Sequence, residues 1–217
     1  LLQIKTGKSA LKIFEKYGDA LAAGKIEKNL GNIVARFGKE SEAEKYYLAA
    51  RRRFAEIGDK IELTMSENSL ANTYAELNDF HKAEFFYKQA LKNARREKMR
   101  VAEAEIKASM GNLALFRGKF DEALRLLELS RRKYENLKMP HQTAIAQLEI
   151  ADIYLELNLT DEAQTIYEKV SDELMKDFYA NLQRGAGVSA SLRKAQLNII
   201  NEDVHPYFWS PFALIGK

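Results

Sequence analysis

The sequence predicts an all-α protein: a right-handed α-solenoid of stacked antiparallel helix pairs with a short atypical C-terminal cap. Three observations carry the prediction. Small residues recur every forty positions, at Gly31, Ala71, Gly111 and Ala151. Each is followed at a constant offset by a second set: Ala43, Tyr47 and Ala50; Ala83, Tyr87 and Ala90; Ala123, Leu127 and Ser130; Ala163, Tyr167 and Val170. Between the two halves of each unit lies glycine or asparagine, at Gly38, Asn78, Gly118 and Asn158. Both residues tolerate positive φ and end helices.

The start of the chain fits the same register. Ala10, Phe14, Gly18 and Asp19 fall forty positions before Ala50, Phe54, Gly58 and Asp59. Residues 8 to about 20 therefore read as the second helix of an earlier, partial unit spanning 1–23. Full units follow at about 24–63, 64–103, 104–143 and 144–170. Each is expected to hold a first helix of about 14 residues, a tight turn and a longer second helix. The small residue of the first helix lets two backbones approach. In the second helix the positions i, i+4 and i+7 share one face. Asp79, Asp121 and Asp161 stand near helix starts, where a carboxylate is favoured. A lone helix pair cannot bury its apolar face, so the pairs must stack, giving about nine helices.

After Val170 the repeat fades. Residues 172–183 still read as an amphipathic helix, with Leu174, Phe178 and Leu182 on one face. Two glycines within 184–188 break it. Residues 189–200 read as another helix, started by Ser189 or Ser191. The last stretch holds two of the chain's three prolines, its one tryptophan and an apolar run, Phe212 to Ile215, suited to a strand or a buried plug.

Composition excludes several function classes. With 217 residues, 46% of them hydrophobic, the chain can bury a core. No stretch approaches the roughly 18 apolar residues a membrane helix needs. No leader is visible, so a cytoplasmic location is expected; the start at Leu1 also suits a fragment or processed form. Zero cysteines exclude disulfides, thiolate metal sites and a cysteine nucleophile within this sequence. His81, His141 and His205 are scattered, so no metal is expected. Gly7-Lys8-Ser9 lacks the earlier glycine and strand of a phosphate loop, so no cofactor is expected either. The excess of 34 basic over 31 acidic residues is too small to point to nucleic acid.

The first-helix residues Leu30 and Gly31, Leu70, Ala71 and Tyr74, Met110 and Gly111, and Ile150, Ala151 and Tyr154, with the second-helix set above, resemble the tetratricopeptide repeat family over roughly residues 1–170. The unit is a forty-residue variant of a repeat that is commonly about 34 long. The family's closing proline is absent. The resemblance implies a non-catalytic scaffold whose first helices line a concave groove that binds a peptide or helical segment of a partner protein. Carried onto this sequence, the groove positions are Lys25, Lys28, Asn32 and Arg36; Asn68, Asn72 and Glu76; Glu105, Asn112 and Phe116; and Leu148, Asp152 and Glu156. One column is polar throughout: Asn32, Asn72, Asn112 and Asp152. An amide offers both a donor and an acceptor, so such a ladder could hold a peptide backbone. The alternative is that these residues bond to neighbouring helices and tune the stacking. Lys28 and Asn32 resemble part of a carboxylate clamp, but its later basic members are out of register.

A basic stripe runs through Lys12, Arg52, Lys92 and Arg132, beside Arg51, Arg53, Arg131 and Lys133. It reads as a solvated face, with an RNA-binding solenoid as a weaker alternative.

Residues 172–217 resemble the C-terminal end of the caspase-like CHAT domain. The matching pieces are LMKDFYANL at 174–182, SLRKAQL at 191–197 and HPYFWSPFALIG at 205–216. The resemblance implies a peptidase whose catalytic His and Cys come from segments preceding this tail, and those segments are missing here. The tail is then a retained cap, a repurposed relative, or the end of a chain lacking an internal region near 171. The second function reading follows: a regulatory arm or truncated remnant of a CHAT-type cysteine peptidase. As a cap, Tyr207, Phe208, Trp209 and Phe212 would cover the last repeat; uncovered, they would drive self-association, so a homo-oligomer through the chain ends is compatible with the sequence.

Overall fold

The computed structural model describes residues 2–184. Among them it holds nine α-helices and no strand: α1 (Leu2–Lys16), α2 (Ala20–Ala35), α3 (Glu40–Ile57), α4 (Lys60–Glu76), α5 (Phe80–Arg96), α6 (Arg100–Phe116), α7 (Phe120–Asn136), α8 (Pro140–Glu156) and α9 (Thr160–Gln183). The fold is all-α, built of stacked antiparallel helix pairs. From α2 onward a helix starts every twenty residues, so each forty-residue unit is two half-repeats of equal length. The first helices are longer than the expected length of about 14 residues, and only two are shorter than their partners, α2 than α3 and α8 than α9. α2 has 16 residues and α3 has 18, while α4 and α5 have 17 each. The unit boundaries at 24, 64, 104 and 144 fall inside the first helices; the pairs themselves begin at Ala20, Lys60, Arg100 and Pro140.

The turns explain the spacing. Positive φ occurs at Gly18, Gly38, Gly58, Asn78, Lys98, Gly118, Lys138 and Asn158, again every twenty residues. After each, the next amide donates to the carbonyl five residues back. Examples are Asp19 to Phe14 at 3.0 Å, Asp79 to Tyr74 at 2.8 Å and Met139 to Tyr134 at 3.0 Å. This is the Schellman closure, in which one left-handed residue lets the chain reverse while an orphan carbonyl is satisfied. Asp19, Asp59 and Asp79 then cap the following helices, accepting from Ala22, Glu62 and Lys82 at 2.9, 3.0 and 3.2 Å. Asp121 and Asp161 instead lie within the first turns of α7 and α9, where they meet the helix dipole without capping.

The chain forms two compact units, divided within α6 after Leu113. In the first, α1 packs on α2, α2 on α3, α3 on α4 and α4 on α5, and α2 also reaches α4. Its core takes Ala43, Tyr47, Leu70, Ala71, Tyr74, Ala83, Tyr87 and Ala90. Gly31 lies against the Tyr47 ring so closely that an added Cβ would sit 2.6 Å from it. α4 is buried on several faces, and its interior hydroxyls are satisfied within the helix: Thr64, Ser66 and Thr73 donate to the carbonyls of Lys60, Glu62 and Ser69.

In the second unit α7 packs on α8 and α8 on α9. Ala144, Leu148 and Val170 form its core with Ile166 and Tyr167. The helix expected over 172–183 is present, continuous with the last repeat's second helix: α9 runs unbroken for 24 residues. The expected break at 184–188 and the tail helix and apolar run beyond it lie outside the described residues.

The turns yield a stability prediction. Gly58 has φ 75 and nothing within 4 Å of a Cβ, so Gly58→Ala should lose about 1 kcal/mol from the backbone alone. Lys98 holds φ 55 without glycine's freedom, so Lys98→Gly should gain about 0.5–1 kcal/mol. Urea denaturation of the two variants should move the midpoint in opposite directions.

Candidate functional site

The polar column of the first helices is tied to the second helices. The Tyr47 hydroxyl donates to Asn32 Oδ1 at 2.7 Å, Tyr87 to Asn72 Oδ1 at 2.7 Å and Tyr167 to Asp152 Oδ1 at 2.8 Å. In each case the partner lies fifteen positions on, where the second helix folds back over the turn. Tyr47 also meets Ser69 of α4, and Tyr87 meets Ser109 of α6. Burial pushes the Tyr47 hydroxyl up to about 12, with Ser69 acting in the opposite sense, so it stays a donor across the physiological range. Asn32, Asn72, Asn112 and Asp152 are all exposed. At Asn32 and Asn72 the amide oxygen is thus held from within, and the N–H donors are what the side chain offers outward.

The cations expected in the groove are engaged. Lys25 and Lys28 of α2 both reach Glu62 of α4, at 3.8 and 2.5 Å. One unit on, Met65 and Asn68 occupy their places. Asn68 Oδ1 is buried and has no hydrogen-bond partner. Glu105 of α6 is half-buried, and burial raises its carboxyl above the usual range. Arg36 and Glu76 stand exposed at the ends of α2 and α4. In the second unit Asp152 and Glu156 are exposed, and Phe116 keeps 70% of its surface open. Leu148, expected on the groove face, is buried in the core of that unit instead, because α9 packs over it.

Lys12, Arg52, Lys92 and Arg132 are exposed, as a solvated face requires. Arg52 pairs with Glu56 at 3.7 Å and Arg132 with Glu128 at 3.5 Å, both along their own helices. The neighbouring arginines hold helices together. Arg51 reaches Glu67 at 3.1 Å, and Arg53 reaches Glu27 at 2.9 Å and also Glu15. Glu27 and Glu67 are only 4% and 2% exposed. Asn93 donates a further bond to Glu67 at 2.9 Å. Burial raises the Glu67 carboxyl, and Arg51 draws it back. Glu27 and Glu67 stand forty positions apart, a regularity visible in the sequence but not singled out there. Arg51 also lies 5.5 Å over the Phe86 ring.

Among the described residues no group of three His, Cys, Asp or Glu could hold a metal ion. No helix there is long and apolar enough to cross a membrane. Tyr207, Phe208, Trp209 and Phe212 lie outside the described residues.

Comparison with known proteins follows the same division. The tetratricopeptide repeat model matches residues 22–96 and 102–172. The CHAT domain model matches residues 164–217, so the two matches overlap inside α9. The sequence holds no cysteine, so the His/Cys pair of a CHAT peptidase is not completed within it. No curated protein matches the chain. The crystal structure of BtubC (BKLC) from P. vanneervenii is similar in fold, with a TM-score of 0.69 and 19% identity over 96% of this chain and 82% of that one. A Rap protein, solved complexed with Competence and Sporulation Factor, gives a TM-score of 0.64 and 14% identity over 90% of this chain. The chain spans 63% of that Rap protein.

Two outcomes test this architecture. Tyr87→Phe should cost about 1 kcal/mol by removing the bond to Asn72. Arg51→Ala should cost about 2–3 kcal/mol, less than for a fully enclosed pair because Arg51 keeps access to water. Because Glu67 ionises at higher pH folded than unfolded, its contribution falls as pH rises through that window. Losing Arg51 widens the window, so the deficit measured by denaturation should be larger at pH 7 than at pH 4.

Proposed function

Because the chain belongs to the tetratricopeptide repeat family, whose members act as protein-interaction scaffolds, we propose that its first helices bind a peptide or helical segment of a partner protein without chemistry. The observation that carries this reading is the exposed column Asn32, Asn72 and Asn112. Its first two rungs are held at their oxygens by Tyr47 and Tyr87, which fixes the amides and leaves donors for a peptide's carbonyls. Lys25, Lys28, Arg36, Asn68 and Glu76 flank that column; Phe116, Asp152 and Glu156 are the first-helix positions proposed for the second unit, taken by itself. The Rap protein of similar fold carries a bound factor, in keeping with ligand binding by such helix stacks.

A second reading is favoured by the CHAT match at 164–217: the repeats are the sensing arm of a peptidase system whose catalytic residues lie elsewhere. The full open reading frame decides between the two, since only the second requires an encoded His/Cys domain. Nucleic acid is not the proposed partner, because Arg51, Arg53 and Arg131 beside the stripe are engaged with carboxylates. Self-association through the chain ends, with Leu2, Ile13 and Tyr17 of the α1 region exposed, and a cytoplasmic location complete the proposal.

The test is affinity capture with an Asn32→Ala, Asn72→Ala, Asn112→Ala variant. It should lose the wild-type partner while keeping its helical spectrum. A Tyr47→Phe, Tyr87→Phe variant, which loses the same internal bonds but keeps the amides, should still capture it. Equal capture by wild type and the alanine variant would remove the ladder from the binding site.

A further inference from the structure

We propose that the first unit carries a second interaction surface, on the outward face of its second helices: a field of cations with an apolar centre, which binds an acidic segment of a partner protein bearing an apolar side chain among its carboxylates. The surface is separate from the groove of the first helices and does not depend on it.

Twelve exposed positions of α1, α3 and α5 fall in one register. On α1 they are Lys5, Lys8, Lys12 and Lys16. Forty residues on, α3 presents Lys45, Leu48, Arg52 and Glu56; forty further, α5 presents Phe85, Lys88, Lys92 and Arg96. The steps of three, four and four residues keep each set on one helical face. Side chains tie the three helices to one another. Lys8 reaches Glu42 of α3 at 3.7 Å, Arg53 of α3 reaches Glu15 of α1, and Arg51 of α3 lies 5.5 Å over the Phe86 ring of α5. Nine of the twelve positions carry a cation and one carries an acid. The whole chain has a net charge of only +3, so positive charge is concentrated on this face.

Helix stability does not call for this pattern. Lys12 stands four residues from both Lys8 and Lys16, and Lys92 four from both Lys88 and Arg96; like charges at that spacing oppose the helix. Nor does the repeat require it. In the second unit the same register holds Arg125, Glu128, Arg132 and Asn136 on α7, where Arg132 is answered by Glu128 at 3.5 Å. Among the described residues Lys5, Lys12, Lys16, Lys45 and Lys92 have no carboxylate partner. Lys8, Arg52, Lys88 and Arg96 pair with solvent-accessible acids at 3.7, 3.7, 3.6 and 3.8 Å, contacts weak enough to be exchanged. Such a field attracts anions and speeds their arrival. Two features select the kind of anion. Leu48 and Phe85 lie within the field, 39% and 49% exposed, with Lys8 and Lys88 in the row of Leu48 and Lys5 and Lys45 in the row of Phe85. An acidic segment with an apolar side chain covers them while its carboxylates meet the cations. A phosphate backbone would meet the cations and leave Leu48 to water. Seven of the nine cations are lysines, which lack the planar fork with which arginine grips phosphate.

The experiment follows the fluorescence anisotropy of a labelled peptide of Glu-Glu-Leu-Glu repeats as full-length chain is added. A peptide with Gln in place of Glu, one with Ser in place of Leu, and an oligouridine are the comparison probes. The Glu-Leu peptide should bind saturably, with an affinity that falls as salt is raised, and the Gln peptide should not bind. A Lys12→Glu, Lys92→Glu variant should weaken the affinity about tenfold or more. An Arg125→Glu, Lys169→Glu variant, which makes the same change of net charge on exposed residues of the second unit, should leave it unchanged. Leu48→Ser with Phe85→Ser should weaken it, as should the Ser peptide on the wild type, and each variant should keep the helical spectrum. Equal loss in the two charge-reversal variants, equal affinity for the Leu and Ser peptides, or tighter binding of oligouridine at the same lysines would overturn the proposal, the last in favour of nucleic acid. The Asn32→Ala, Asn72→Ala, Asn112→Ala variant should bind the acidic peptide as the wild type does; loss there would place the acidic segment in the groove and overturn the second surface.

Discussion

A backbone reversal through a single left-handed residue, repeated at every twentieth position, sets the geometry on which the other features depend. One residue with positive φ and one amide bonded five residues back close each helix in the same way. The helices that follow are therefore nearly equal in length, and equal lengths put residues forty apart at equivalent heights. Glycine does this with least strain, yet Asn78, Lys98, Lys138 and Asn158 adopt the same conformation. Packing of the flanking helices holds the two lysines where their own preference would not.

On that frame the side chains form two sets of crosslinks. Tyr47 and Tyr87 tie α2 and α4 to the second helices of their own pairs and, through Ser69 and Ser109, to the next first helix, and Tyr167 ties α8 to α9. Arg51 and Arg53 tie α3 to the buried acids Glu67 of α4 and Glu27 of α2. Both sets place polar groups inside an apolar stack, where an unmatched partner is heavily penalised. They specify register as well as adding stability, because a slip of one residue would strand every one of these groups. Where the pattern lapses, an orphan is left. Gln147 stands in the column of Glu27 and Glu67, and its Oε1 is buried without a partner. Arg131, the counterpart of Arg51, turns to Glu128 and Glu135 instead.

Much of this was legible in the sequence. The forty-residue spacing of small residues located the helix pairs, and the small-large-small faces of the second helices are buried throughout α3, α5 and α7. What the sequence concealed has physical causes. The twenty-residue half-period is hidden because lysine does not announce left-handed backbone, so the turns at Lys98 and Lys138 look like ordinary helix. The tyrosines read as core because their rings are core; that the hydroxyls emerge on the asparagine column depends on the angle between helices, which spacing does not encode. Arginines 51 and 53 looked like surface charge, since a sequence does not show which side chains reach across to a buried acid.

The length of α9 follows from the same rule. The next reversal would fall at position 178, which carries phenylalanine, and the helix continues to Gln183. One rigid rod thus serves as the last repeat's second helix and as the opening of the CHAT-like segment, with no joint between the two roles. A rod transmits phase. Each residue added or removed near its middle would swing the far half by about 100° about the axis relative to the near half. Length changes there should therefore be far less tolerated than changes of side chain, and the spacing across residues 164–172 becomes a coupling parameter between the two halves.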